Sequence, residues 1–190
     1  MSSIGVRTHF TPDEYLVLER KAAYKSEYFR GEIVAMSGAS RAHNLITLDI
    51  ATELNNQLRG QGCEVYSSDM RVRIAHSEAY FYPDVVVACN QPKFEDVFMD
   101  SITNPVIIIE VLSPSTEEYD RGEIFELYKQ LPSLKEYILV AQEKFTVEHY
   151  AIRDTEWDVN ISENPTDILT LSTIRCTLTL KDIYRRVDLD

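Results

Sequence analysis

The sequence has no apolar run long enough to cross a bilayer. Its longest apolar stretches, such as Val106 to Ile109, fall far short of the roughly 20 residues that a membrane-spanning helix needs. The first ten residues lack the basic and apolar regions of a secretory signal peptide. We therefore expect a cytoplasmic protein with no membrane segment.

Cysteine is scarce, and its pattern indicates neither disulfides nor a metal site. The chain has three cysteines, Cys63, Cys89 and Cys176, which are widely separated. The odd number and the lack of paired metal-ligand spacing favour reduced, buried thiols.

Basic residues are outnumbered, with 19 Lys and Arg against 31 Asp and Glu and a formal net charge of −12. Proteins that bind nucleic acid usually have a basic surface, because neutralising phosphates supplies much of their affinity. The acidic balance lowers the expectation of DNA binding, although a local patch can matter more than the sum. Weak DNA binding and a partner other than nucleic acid both stay open.

The sequence does contain the mixture of short apolar runs and amphipathic stretches that is typical of an α/β fold. Its 190 residues suit a single domain, 1–190. Helices are predicted over 12–21, 41–58 and 180–186, and over a segment capped by Ser115 or Thr116 that ends before Pro132. Strands are predicted over 24–29, 32–36, 63–66, 70–74, 80–89, 105–112, 136–141, 145–152 and 157–161. These elements predict a mixed β-sheet core flanked by helices.

Two carboxylates mark the edges of the most apolar strands. Asp84 precedes one strand and Glu110 lies near the end of another, so antiparallel neighbours would bring both to one sheet edge. A hairpin folded about residue 77 would draw Asp69 to the same edge. Asp120 lies four residues before Ile124, on the sheet-facing side of its helix. Clustered acids of this kind favour a divalent cation, and oxygen ligands favour Mg²⁺ or Mn²⁺.

The pattern of strand 70–74 makes a separate prediction. Apolar and basic residues alternate, so Arg71 and Arg73 are expected on a solvated face, where they could also contact phosphate.

Several motifs carry a resemblance to a known family: residues 30–34, 43–44, 68–72, 82–84, 110–116, 119–123 and 131–137. Together they resemble the Uma family of putative restriction endonucleases, in the PD-(D/E)XK nuclease superfamily, over nearly the whole chain. The resemblance implies a restriction-endonuclease-like fold, hydrolysis of DNA phosphodiester bonds and a homodimer. It implies Mg²⁺ held by Asp84, Glu110 and the main-chain carbonyl of Val111, and it places Glu32 and His43 near the same cleft.

The chain departs from that family's pattern at its lysine positions. Leu112 stands where the superfamily motif has lysine. Ile124 stands where, by the same resemblance, family members supply a lysine from the next helix. Lys129 is out of phase with Asp120 on a helix. Arg121 is close in sequence but stays protonated, so it can steady a phosphate without acting as a base.

Each candidate residue also has a structural interpretation. Asp120 can serve as a partner of the helix dipole, Asp69 can neutralise Arg71, His43 can orient its helix start, and Glu32 can be a strand-edge acid.

The sequence as a whole leaves three functions open: a Mg²⁺-dependent endonuclease with reduced catalysis, an inactive nuclease fold that binds DNA or protein, or a metal-dependent hydrolase of another substrate.

Overall fold

The computed structural model describes residues 9–114 and 116–189. The strands, in chain order, are β1 (Ser26–Phe29), β2 (Glu32–Ala35), β3 (Cys63–Ser67), β4 (Arg71–Ile74), β5 (Ala79–Phe81), β6 (Val85–Cys89), β7 (Ser101–Ile102), β8 (Ile107–Leu112), β9 (Glu136–Ala141), β10 (Val147–Arg153), β11 (Glu156–Ser162), β12 (Ile168–Leu171) and β13 (Cys176–Thr179). The helices are α1 (Pro12–Glu19), α2 (Arg41–Gln57), a 3₁₀ turn (Ala75–Ser77), α3 (Glu117–Tyr119), a π-helical segment (Asp120–Ile124), α4 (Phe125–Tyr128) and α5 (Leu180–Ile183). The predicted mixed α/β architecture is confirmed.

Local sequence signals place the first elements. Thr11 and Glu14 form a capping box at the start of α1, with Pro12 at its first position. Arg30 and Gly31 both have positive φ, 46° and 94°, which matches the two-residue turn that joins β1 and β2. The predicted hairpin is therefore confirmed.

The strands form two large sheets and one hairpin. One sheet has the order β2-β1-β5-β4-β7, and the other has the order β11-β10-β9-β8-β6-β3. Within the second sheet β8 pairs antiparallel with β6 and parallel with β9. The third unit, β12 and β13, was not predicted from the sequence, and neither was β7.

The prediction of one strand over 80–89 is wrong, because this segment divides between the two large sheets. β5 pairs with β1 and β4, whereas β6 pairs with β3 and β8. The break falls at Tyr82-Pro83-Asp84, where Pro83 has no N–H to donate to a ladder. Asp84 therefore lies where the chain enters the second sheet.

The second sheet is covered on both faces, as predicted for the strand over 105–112. Ile107, Ile109 and Val111 pack with α2, α5 and the β12–β13 hairpin in one apolar cluster. Ile108 and Leu112 pack into a second cluster, which includes residues of the π-helical segment and α4. Alternate residues of β8 thus serve two cores.

The solvated face predicted for Arg71 is wrong. Arg71 is only 2% exposed, since α1 and the loop before β7 cover it. Its guanidinium lies 2.5 Å from the Asp100 carboxylate, which Arg20 also binds. These ion pairs hold the pKa of Asp100 down at about 2, with the Arg20 hydrogen bond as the main cause. Arg73 is ion-paired with Glu95.

The prediction of reduced thiols is also wrong for two of the cysteines. β3 and β6 are antiparallel neighbours, and their register sets Cys63 directly opposite Cys89. The two form a disulfide, with Cα atoms 4.0 Å apart. Cys176 is free and buried, as predicted.

Across residues 9–114 and 116–189, none of the helices combines the length and hydrophobicity needed to traverse a bilayer. Two sequence predictions fall partly outside these ranges: the absence of a signal segment, which involves residues 1–8, and a helix cap at Ser115. The other cap candidate, Thr116, makes no capping hydrogen bond to α3.

Candidate active site

Asp84 and Glu110 face each other across two antiparallel strands. Val85 pairs with Ile109, which sets the preceding Asp84 opposite Glu110. The Asp84 main-chain N–H donates to Glu110 Oε2 at 3.2 Å, and the Val111 N–H donates to Asp84 Oδ2 at 2.8 Å. The Glu110 carboxylate is therefore held by the Asp84 backbone, and the Asp84 carboxylate by the backbone of Val111, which follows Glu110. The two acids lie side by side where β6 begins and β8 nears its end, as the antiparallel arrangement predicts.

His43 reaches this pair from the first turn of α2. Ser40 caps that helix by accepting from the His43 N–H at 3.0 Å, so the backbone of His43 is held in place. Its ring Nε2 lies 3.1 Å from Asp84 Oδ2, and both side chains are largely buried. The ring of His43 thus points at the site, while the capping task falls to Ser40.

Asp120 enters the site from the opposite side, on the π-helical segment. The predicted single α-helix is wrong here, because a π turn separates α3 from α4. The Tyr137 hydroxyl donates to the Asp120 main-chain carbonyl at 3.0 Å and anchors the wider turn to the sheet. Single π turns occur often at functional sites, and this one carries a site carboxylate.

Glu27 is a site residue that the sequence interpretation missed. It lies on β1, and its Oε1 accepts the Tyr82 N–H at 3.2 Å, beside the crossing between the two sheets. Burial, chiefly, and the nearby charges of Asp120 and Asp84 raise the pKa of Glu27 to about 7. A cue was present in the alternation of β1, where buried Ser26 and Tyr28 send Glu27 to the other face.

Burial and neighbouring carboxylates also raise the pKa values of Glu110 and Asp120. Burial and the neighbouring Asp84 and Asp120 raise the pKa of Glu110 well above its ordinary value. Burial, more than the charge of Asp84, raises the pKa of Asp120 to about 6, against opposing effects of Thr116 and His43. Within the described part of the chain, no lysine or arginine forms an ion pair with Glu27, Asp84, Glu110 or Asp120. No direct ion pair with a lysine or arginine of these described residues therefore compensates the four carboxylates.

Two of the sequence candidates lie outside this cluster. The backbone of Asp69 is near that of Asp84, since the N–H of the preceding residue, Ser68, donates to the Asp84 carbonyl at 3.0 Å. Its side chain, however, is 91% exposed and binds Lys25 at 3.0 Å. Glu32 is exposed on β2, opposite Phe29 and next to the hairpin turn.

The positions without lysine are filled by apolar core. Leu112 and Ile124 are each 3% exposed and belong to the same apolar cluster. Lys129 binds Glu126 at 2.6 Å, and the Arg121 guanidinium is held by Glu148 at 2.6 Å and by Glu117. Neither cation is free to replace a lysine at the carboxylates.

The donor set suits a hard divalent cation in its chemistry. Asp84, Glu110 and the Val111 carbonyl offer only oxygen, and added positive charge would relieve the mutual repulsion of the acids. Among the described residues, no three His, Cys, Asp or Glu side chains already stand in a metal-binding arrangement. The expected set needs only two side chains together with a main-chain carbonyl.

The chain matches a known protein family over most of its length. The family model Uma2, described as "Putative restriction endonuclease", matches residues 12–181. The chain belongs to the Uma2 family. The resemblance drawn from the motifs is confirmed, and with it a nuclease-like family and fold.

Two curated relatives of this Uma2 protein come from Synechocystis sp. (strain ATCC 27184 / PCC 6803 / Kazusa). The uncharacterized protein sll1609 is 43% identical over 158 residues, covering 83% of this chain and 89% of the relative. The uncharacterized protein slr1290 is 37% identical over 176 residues, covering 92% and 91%. The likeness extends over nearly the full length of both relatives.

A solved structure supports the same fold. The crystal structure of a putative nuclease belonging to DUF820 from Anabaena variabilis ATCC 29413 matches with a TM-score of 0.74 and covers 93% of this chain and 98% of that one. Sequence identity is 19%, so this likeness concerns the fold alone.

Proposed function

We propose that this Uma2 protein is a metal-dependent nuclease that hydrolyses phosphodiester bonds in DNA. The observation that carries the proposal is the convergence of Glu27, Asp84, Glu110 and Asp120 where the chain crosses between two sheets. Buried like charges are costly unless they bind a cation or hold protons. Such a cluster destabilises the fold by itself and provides suitable ligands for a cation.

Asp84, Glu110 and the Val111 carbonyl would hold Mg²⁺ or Mn²⁺. When bound, a cation of this kind polarises a phosphate oxygen and lowers the pKa of a water molecule. The chain's own contribution is rigidity: the Val111 N–H and His43 orient Asp84, and the Tyr128 hydroxyl donates to Glu110 Oε1 at 3.2 Å. Ligands fixed in this way lose little freedom on binding.

The apolar residues at positions 112 and 124 imply slow catalysis. A positioned proton-transfer side chain contributes typically about 10²–10⁴-fold, and neither lysine is present to supply it. We expect Ile124→Lys to raise the cleavage rate. Ile124→Met, which keeps an apolar side chain of similar volume, is the control and should leave the rate unchanged. A folded Ile124→Lys protein with unchanged cleavage would show that the missing lysine is not what limits the rate.

The deciding experiment is cleavage of supercoiled plasmid with Mg²⁺ or Mn²⁺. Nicking should be lost in Asp84→Asn and Glu110→Gln and kept in Glu123→Gln, an exposed acid on the same π-helical segment as Asp120. Absence of cleavage by the wild-type protein at every metal concentration would overturn the proposal.

A second candidate, a nuclease fold that binds without cleaving, is favoured by the burial of Leu112 and Ile124. Calorimetric titration with Mn²⁺ and a gel-shift assay on duplex DNA separate the two functions. DNA binding without cleavage supports the second, and Mn²⁺ binding with cleavage of other phosphoesters supports a different substrate. The net charge of −12 makes the latter worth including.

The cytoplasmic location and the single domain remain parts of this proposal. The Cys63–Cys89 disulfide is the observation that argues against a cytoplasmic location, because cytosolic proteins rarely keep structural disulfides. Thiol titration of the protein isolated under acid quench would show whether the pair is oxidised in the cell. Limited proteolysis tests the second, since one domain predicts no early cut between large stable fragments.

A further inference from the structure

The outer strand β11 is unusually open. It closes one side of the six-stranded sheet, and all seven of its residues pair with β10 without a bulge. It contains no proline and no lysine, the devices that usually protect a sheet edge. The outer strand β3 at the other side differs, since Cys63 cross-links it to its neighbour.

β11 exposes an apolar face. Trp157, Val159 and Ile161 alternate along it, and Val159 and Ile161 are 47% and 56% exposed. Trp157 is partly buried against Phe125, at 5.3 Å between ring centroids. The polar side chains of Asp158 and Asn160 point to the other face.

The same three residues present the free hydrogen-bonding groups of the strand. β10 and β11 are joined by a two-residue loop, Asp154-Thr155, so the flanking pair Arg153 and Glu156 is a hydrogen-bonded one. Hydrogen-bonded pairs then alternate, which turns the N–H and C=O of Trp157, Val159 and Ile161 toward the open side. Ile152, the β10 residue opposite Trp157, is consistent with this pattern. Its N–H donates to the Lys135 carbonyl on the far side of β10, at 3.0 Å.

We propose that β11 pairs antiparallel with β11 of a second copy of this chain, about a two-fold axis at Val159. In this register Val159 faces the partner's Val159, and Trp157 faces the partner's Ile161. Each of these pairs exchanges two hydrogen bonds and joins apolar side chains on one face. Asp158 lies opposite the partner's Asn160 and Glu156 opposite the partner's Ser162, so no two like charges meet.

Self-complementarity favours a second copy over another occupant. The chain carries 31 acidic residues, yet pairing about Val159 sets none of the β11 acids against another. The joined sheet would have twelve strands, and with about 4.8 Å between strands the two β8 strands would lie about 34 Å apart. Because the contact involves one strand from each copy, we expect a dimer that dissociates on dilution.

Sedimentation velocity over a range of concentrations tests the proposal. The wild-type protein should dimerise reversibly, whereas Val159→Lys and Ile161→Lys should stay monomeric at the same concentrations. Ile168→Lys is the matched control, since Ile168 is 59% exposed on β12 and should dimerise like the wild type. Val159→Pro removes only the outward N–H and a side chain at the edge, so it should fold and fail to dimerise.

Two outcomes would overturn the proposal. One is a wild-type protein that remains monomeric up to roughly 1 mM, the range of the weakest specific complexes. The other is a dimer that survives in both lysine variants, which would locate the interface elsewhere. Circular dichroism of each variant distinguishes a monomer from an unfolded chain.

Cross-linking fixes the register. Val159→Cys should be joined to its partner by a short thiol-reactive linker, because residue 159 lies on the axis. Asn160→Cys, which faces the opposite side of the sheet and lies off the axis, should couple much less, with the wild type run alongside for its own three cysteines. Equal coupling at both positions would contradict the register. Trp157 is the only tryptophan in the sequence, so a blue shift of its fluorescence with concentration gives an independent reading.

Discussion

Two glutamates on adjacent strands, one half-buried and one fully buried, have opposite surroundings. Glu110 on β8 sits among other carboxylates, and burial with those neighbours raises its pKa well above the ordinary value. Glu136 on β9 is 2% exposed, and its carboxylate lies 2.6 Å from His149 Nε2 and accepts the Thr173 N–H at 2.7 Å. Although burial alone would raise it, these donors lower the pKa of Glu136.

Glu136 is an acid that stabilises the fold, whereas Glu110 is an acid whose charge is not compensated by an ion pair within the described part of the chain. Glu136 ties β9 to β10 and to the turn between β12 and β13, so its charge is fully used within the chain. Glu110 meets two donors and three other acids. The comparison predicts that removing the Glu136 carboxylate destabilises the protein far more than removing the Glu110 carboxylate.

The largest effect is expected for Glu136→Ala, because it leaves His149 and the Thr173 N–H without their buried acceptor. We expect the free energy of unfolding at pH 7 to fall by about 3 kcal/mol. Urea denaturation measures this free energy. Glu136→Gln should lose less of it, because the glutamine can still accept the Thr173 N–H. Glu110→Ala in metal-free protein should lose far less than Glu136→Ala. Equal losses would erase the distinction between the two acids.

Binding of Mn²⁺ should come next in size. At 100 times its dissociation constant, Mn²⁺ should raise the free energy of unfolding by about 2.7 kcal/mol, since the cation binds only the folded site. Thermal denaturation should show no stabilisation in Asp84→Asn. Asp69→Asn should respond like the wild type, because the Asp69 side chain is exposed and paired with Lys25. Loss of the response in Asp69→Asn would instead make Asp69 a ligand, as the hairpin argument predicts.

A smaller effect is expected for Glu27→Gln in metal-free protein. A carboxyl whose folded pKa is raised to about 7 holds its proton more tightly in the folded state, so its ionisation destabilises the fold as pH rises from about 4.5 through 7. Above pH 8 the variant should therefore be more stable than the wild type. Below pH 4.5 the two should coincide. Denaturation at both pH values checks the sign, and a wild type that gains stability with pH relative to the variant would contradict it.

The smallest effect is expected for Asp100→Asn, and its pH dependence should be reversed. The pKa of Asp100 is lowered to about 2, so its contribution is present above about 3.8 and is lost as pH falls through 2. Because the side chain is partly exposed, we expect a cost of about 1 kcal/mol at pH 7. Titration of the free energy of unfolding from pH 7 to pH 2 should show the variant and the wild type converging. A gap that widens toward acid would mean that the arginines do not hold this carboxylate.

The parts of the site that the sequence predicts are those set by neighbouring strands. Asp84 and Glu110 follow from two apolar runs and the rule that antiparallel strands share an edge. Asp120 follows from helix phase, even though the helix contains a π turn, because Asp120 lies at its beginning. Glu27 does not follow, since its place depends on how two separate sheets meet.

The errors on Arg71 and on the two cysteines share one physical origin, which is contact with segments distant in the sequence. Alternation in 70–74 predicts a wet Arg71, but residues far along the chain enclose it and supply Asp100. Cys63 and Cys89 are distant in sequence and opposite in register. A pattern of one strand describes its two faces, and it does not say what else will pack on them.

The proline at the crossing between the sheets has a consequence for how damage would appear. Tyr82-Pro83-Asp84 connects the two sheets and carries one of the proposed metal ligands, so the alignment of the two sheets sets the direction of the Asp84 carboxylate. A change that tilts one sheet slightly can misdirect that carboxylate while both cores remain intact. Loss of activity with unchanged stability, from a substitution remote from every acid, is therefore the failure to expect.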